Sequence, residues 1–120
     1  MKIALTASGA SLDAPLDPRF GRAARFVVVD TVTGNVTVHD NTPNLNAAQG
    51  AGIQAAEAVS QLGVEVVITG HCGPKAFRAL QAAGIQVVTG ATGTAKEAVA
   101  RYQKGELKPA TSADVEGHWA

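Results

Sequence analysis

Several things are scarce in this chain, and each scarcity excludes something. It has one cysteine, Cys72, so no disulfide closes within it. Aromatic residues make up 4% of 120 residues, which leaves few rings for bases or sugars to stack on. Neither sign of charge dominates: ten Lys+Arg face ten Asp+Glu, for a formal net charge of zero. A general polyanion binder needs net positive potential, so nucleic acid is not an expected partner. No apolar run approaches the roughly 18 residues that read as a membrane span. The start, MKIALTASGA, is also too short in apolar residues for a signal peptide. A cytoplasmic domain with no membrane contact is expected.

What is present is material for one core. Hydrophobic residues make up 46% of the chain, and 23 residues are alanine, so helices and strands can approach closely. The apolar run Lys2 to Ala7 predicts a first strand, followed by the polar, Pro-punctuated loop SGASLDAPLDPRFGR. Residues 25–40 read as a β-hairpin turning near Gly34, with Val36 and Val38 inward and Thr37 and His39 outward on a half-exposed edge. A loop, Asn41 to Asn46, broken by Pro43, leads to a helix whose face is Ile53, Ala56, Val59 and Leu62. Asn46 with Gln49 resembles a capping box for it. VEVVITG and IQVVTG are buried strands; Gly73-Pro74 opens a helix with Phe77 and Leu80 inward. Thr94 with Glu97 is a capping box for a last helix, with Ala95, Ala98, Val99 and Tyr102 on one face. Gly63, Gly84 and Gly105 close the helices at intervals of 21 residues. That alternation predicts an α/β fold in which the hairpin makes a parallel sheet mixed. One domain is expected over 1–105, with 106–120 as a loosely ordered tail whose aromatic residue, Trp119, is the candidate for docking.

In such sheets ligands sit beyond the carboxyl ends of the strands. Three glycine-bearing segments fall there: Ser8–Gly21, Gly70–Pro74 and Gly90–Thr94. The last two run into helix starts, where free N–H groups and the helix dipole receive anions; glycine there also simply permits a tight turn. Charge patterning favours the anion. No acid occurs between Glu65 and Glu97, while Lys75, Arg78 and Lys96 do, and Arg19, Arg22 and Arg25 share an acid-free stretch. For Arg25, pairing with Asp13, Asp17 or Asp30 is the alternative. His71-Cys72, in GHCGP, stands at a helix start, where a thiol's pKa falls and thiolate is favoured; an inert core cysteine is the other reading. No second cysteine or spaced histidine pair completes a zinc site, and His39 and His118 are isolated. Gly50-Ala51-Gly52 up to Ala55 matches the dinucleotide pattern in letters, but it follows a loop rather than a strand. KIALTAS carries no carboxylate for two-metal phosphoryl chemistry, and neither Ser8 nor Ser11 sits in a nucleophile elbow.

Four blocks, MKIALTASG, DPRFGRAARFVVVD, NAAQGAGIQAAEAV and VITGHCGPKAFRAL, resemble in that order the dinitrogenase iron–molybdenum cofactor biosynthesis family. That family groups nitrogenase cofactor carriers, the C-terminal domain of a cofactor-synthesis radical enzyme, and small stand-alone members. The resemblance implies a ribonuclease H-like, three-layer α/β fold. Its five-stranded mixed sheet would have the order 3-2-1-4-5, with strand 2 antiparallel. It also implies a carrier and not an enzyme. The cargo would be a molybdenum–copper sulfide cluster or a related molybdenum or iron–sulfur cluster. Contacts carried over by the resemblance are Arg19, Phe20, Gly21 and Arg22, with Asn46, Gln49 and Gly50. Gly70, His71, Cys72, Gly73 and Lys75 form the second wall, with Cys72 as a soft metal contact and His71 as a second metal contact. Further partners would be proteins in cluster delivery or regulation, and the protein itself a monomer or weak dimer. The alternatives are a regulatory module that binds a protein partner and a phosphoester hydrolase.

Overall fold

The computed structural model describes residues 1–44 and 50–110. Its strands are β1 (Lys2–Ala7), β2 (Arg25–Asp30), β3 (Val36–Asp40), β4 (Val66–Ile68) and β5 (Gln86–Val88). Its helices are α1 (Ala51–Ser60), α2 (Pro74–Ala82) and α3 (Ala95–Gln103), with single 3-10 turns at Phe20–Arg22 and Thr42–Asn44. The sheet runs β3-β2-β1-β4-β5. Strand β2 is antiparallel to both neighbours, and β1, β4 and β5 are parallel. This is the expected mixed sheet. Gly34, at φ 79°, takes the left-handed conformation that the hairpin turn requires.

Strand alternation sends side chains to two cores. Ala4, Phe26, Val28, Val67 and Val87 pack with α1 and α2 on one face. Ile3, Leu5, Val29, Val66, Ile68 and Val88 pack with Ala95 and Ala98 of α3 on the other. The result is three layers. Helix α1 buries Ala51, Gly52, Ala55, Ala56 and Val59, so small residues set its contact and Ile53 and Leu62 flank it half-buried. It starts at Gly50, which has no side-chain cap; the Asn46/Gln49 box lies outside the described residues.

Val36 and Val38 point to the sheet face that carries α3, as expected, but are 41% and 39% exposed. Their register partners Val29 and Val27 are buried, but no β3 residue joins the core under α3, because cover ends before the edge strand. Of the expected tail, Ala110 is described: its N–H donates to the Val87 carbonyl at 2.7 Å, along the edge of β5. Residues 111–120, including His118 and Trp119, lie outside the described residues. Among the described residues no helix is long and apolar enough to cross a membrane.

The Thr94 box is present in full. Its hydroxyl accepts from the Glu97 N–H, and the Glu97 carboxylate accepts from the Thr94 N–H at 2.9 Å. That N–H bond, then the Thr94 hydroxyl, holds the Glu97 carboxyl below its ordinary 4.5. Thr94→Ala should cost about 1 kcal/mol in urea unfolding. A lowered carboxyl pKa contributes stability that is present above the ordinary value and lost as pH falls through the lowered one. The stability gap between wild type and Glu97→Gln should therefore narrow from about pH 6 to about pH 3. A gap independent of pH would show that the charge of Glu97 contributes nothing.

Candidate anion-binding site

The site begins with two threonines in otherwise apolar strands. Thr6 and Thr69, at the carboxyl ends of β1 and β4, are fully buried and joined by a 2.9 Å hydrogen bond. The Thr6 hydroxyl also donates to the Asp17 carbonyl at 2.8 Å, and the Asp17 N–H donates to the Thr6 carbonyl. A carbonyl only accepts and Thr6 has one hydroxyl proton, so the proton between the two hydroxyls comes from Thr69. This buried pair pins the segment that leaves the sheet at Asp17.

Beyond Asp17 the chain lies against the loop after β4. His71 N–H donates to the Pro18 carbonyl at 2.7 Å, and Phe20 N–H donates to the His71 carbonyl at 3.1 Å. Arg19 and His71 thus form a parallel bridge outside the main sheet. The approach needs glycine at 70: a Cβ there would sit 2.8 Å from Cα and O of Pro18. Phe20 is fully buried with its ring 5.7 Å from that of Phe26, so it anchors the turn in the core. The far end is held by Asn41, a buried residue whose Nδ2 donates to the Ala23 carbonyl at 2.7 Å. Its N–H donates to the carbonyl of Ala24. The consequence is an Arg19–Arg22 segment with both arginines exposed on a pinned backbone.

The helix starts around it differ. Helix α2 opens at Gly73 and Pro74, and α1 at Gly50, neither with a side-chain cap among the described residues. The turn Phe20–Arg22 packs on α1, and α1 packs on α2, while the Arg19–His71 bridge sets the arginine segment against the loop that leads into α2. The start of α3, expected to receive an anion on the same terms, is filled. Ala95 and Lys96 donate their N–H groups to the carbonyls of Ala14 and Leu12 at 3.0 and 2.8 Å, and Thr94 caps Glu97. The loop after β1 occupies that end of the helix, so the site contracts to the α1/α2 side of the sheet.

Other predicted residues fall as follows. Lys75 is exposed at the α2 start, Gly70 and Gly73 are buried, and His71 is half-buried in the bridge. Cys72 is fully buried in the α1/α2 core, with Sγ 3.7 Å from the Gly73 carbonyl that accepts from it. Gly21 is buried and Gly50 exposed, while Asn46 and Gln49 lie outside the described residues. Arg25 pairs across the hairpin with Asp40 at 3.9 Å, not with Asp13, Asp17 or Asp30. Among the described residues no three His, Cys, Asp or Glu side chains gather to hold a metal ion. Thr6, Thr69 and Asn41 were not singled out from the sequence. Their signal is a polar side chain at the end of an apolar strand or just past the hairpin, a hydroxyl in the threonines and an amide in Asn41, which needs a partner when buried.

A family model described as dinitrogenase iron-molybdenum cofactor matches residues 1–105. The structure is similar to the apo form of the orange protein from Desulfovibrio gigas: 46% identity, TM-score 0.92, covering 95% of this chain and 96% of that one. It is also similar to a Thermotoga protein described as NifB-like, at 34% identity and TM-score 0.83, covering 97% and 98%. An uncharacterized protein of Methanocaldococcus jannaschii is 31% identical over 96 residues, 78% of this chain and 80% of its own.

Gly70→Ala tests the clamp. The collision is with backbone, which cannot swing aside, so the variant should lose about 1–3 kcal/mol in denaturant unfolding. Exchange of the His71 and Phe20 amides should speed up, while that of β1 and β2 amides stays unchanged. Unaltered exchange at both positions would show that the loops do not depend on this contact.

Proposed function

The chain belongs to the dinitrogenase iron–molybdenum cofactor family, and on that premise we propose that it binds and carries an anionic molybdenum-containing metal–sulfur cluster of the molybdenum–copper sulfide type. The cluster is cargo, and its further partners are proteins of cluster delivery or regulation. The observation that carries this reading is the clamp of Pro18–Phe20 on Gly70–His71, which holds the exposed Arg19 and Arg22 on a pinned backbone against the loop leading into α2. Exposed guanidinium groups and the Lys75 ammonium supply the charge. Backbone N–H groups at the starts of α1 and α2 supply directed donors, and glycine lets them come close. Asn46, Gln49 and Gly50 contribute the polar contacts on the α1 side. A compact sulfide anion suits such a cradle, because its charge is met by donors and not by a ring of thiolates.

The family relationship and the likeness to the orange protein support a cofactor-related binding role. A phosphoester hydrolase is less well supported, since β1 carries no carboxylate. The His71 backbone lies in the bridge, and the Cys72 sulfur is buried in the core.

The test is uptake of tetrathiomolybdate with copper by the apoprotein, followed by visible absorbance and metal analysis. A saturable band with fixed stoichiometry is expected, and its absence would refute the proposal. Arg19→Ala with Arg22→Ala should weaken uptake by about tenfold or more and flatten its salt dependence. Unchanged uptake would remove the arginines from the site. Cys72→Ala should keep uptake within about threefold, since a buried thiol acts as a small hydrophobe. A larger loss than in the double arginine variant would make the sulfur a metal contact.

A further inference from the structure

The sheet has two edges, and only one is covered among the described residues. Along β5 the chain covers itself through the Ala110 bond to Val87. Strand β3 forms the other edge, paired with β2 alone. Hydrogen-bonded and non-bonded pairs alternate along an antiparallel ladder. The Asp30 N–H donates to the Asn35 carbonyl and the Asn41 N–H to the Ala24 carbonyl, which fixes the phase of that alternation. Thr37 and His39, opposite Val28 and Phe26, therefore turn their backbone groups toward β2. Val36, Val38 and Asp40 turn theirs outward. The outward residues include Val36 and Val38, the exposed valines. The strand has neither lysine nor proline, and its acid, Asp40, lies at its end and is paired with Arg25.

We infer that β3 is a self-association surface, pairing antiparallel with β3 of a second copy of this chain about a two-fold axis at Thr37. A two-fold axis makes edge-to-edge strands antiparallel and requires the surface to complement itself. Of the registers that place outward backbone groups opposite each other, two pair both Val36 and Val38 with residues of β3. With Val38 on the axis, each Val36 meets an Asp40 carboxylate that is already paired with Arg25. With Thr37 on the axis, Val36 of one copy faces Val38 of the other, twice, and Asn35 faces His39. The second register covers all four valines, bonds the outward groups of Val36 and Val38, and sets one threonine against its symmetry mate. Branched and Thr–Thr cross-strand pairs of this kind stabilise a sheet. The association concerns the edge of the sheet and is independent of any cargo.

The test uses apoprotein. The two Thr37 residues form a non-hydrogen-bonded pair, whose Cα atoms lie about 4.5 Å apart, within disulfide range. Thr37→Cys should therefore cross-link between copies on mild oxidation. The control is Val32→Cys at the hairpin, where the wild-type side chain is 82% exposed and chance collision is easier. Thr37→Cys should react about tenfold faster or more, and Cys72, being buried, does not compete. In wild-type protein the Val36 and Val38 amides should exchange more slowly as concentration rises, while those of Thr37 and His39 do not change. Cross-linking no faster than the control, or exchange independent of concentration, overturns the inference. Preferential cross-linking by Val38→Cys overturns the Thr37 axis.

Discussion

The rest of the site depends on two backbone hydrogen bonds that join Pro18–Phe20 to His71. They act as a short extra parallel pairing beyond the carboxyl end of β1 and β4. Backbone bonds of this kind fix position without specifying side chains, so the arginines can be exposed and still be placed. Everything that supports the clamp is buried or small. Thr6 and Thr69 hold its entrance, Asn41 its exit, Phe20 its underside, and Gly70 leaves the space it fills. A polar group buried without a partner is costly, so these contacts make one arrangement of the segment much better than its neighbours.

The three helix starts show how one fold separates structural from binding roles. All three follow a βα turn or glycine loop, and the dipole argument applies equally to each. What differs is what the neighbouring chain does. At α3 the loop after β1 brings the carbonyls of Leu12 and Ala14 to the free N–H groups, and Thr94 completes the set. At α1 and α2 the caps are glycines with no side chain to offer. The charge divides the same way: α3 opens with Glu97 in its first turn, whereas no acid occupies the first turn of α1 or α2.

Most of the fold was legible because its signals are local. The apolar run of β1, the Gly34 hairpin, Pro74 at the first helical position and the Thr94/Glu97 box all lie where spacing and turn chemistry put them. The degree of exposure of Val36 and Val38 was not legible. Alternation shows that two valines share a face, but only the extent of α3 decides whether that face is covered. The filled start of α3 was hidden for a related reason, since nothing in residues 90–94 records that Leu12 and Ala14 will reach it. Arg19, Arg22 and the GHCGP loop could be read from charge and glycine. Their union could not, because it rests on Thr6, Thr69 and Asn41, ordinary polar residues until burial makes each one exacting.

The filling of the α3 start also orders events in time. Leu12, Ala14 and Leu16 are bonded to Lys96, Ala95 and Gly93, partners that come late in the chain. Such long-range closures must await both ends, and they cost loop entropy before they return any contact. As the protein is made, the strands and α2 can assemble while the loop after β1 still moves freely. That loop leads directly into the arginine segment. The loop after β1 is therefore seated only when the last helix has emerged, whereas the arginine segment beyond it is held by Thr6, Asn41 and His71, partners that come earlier in the chain.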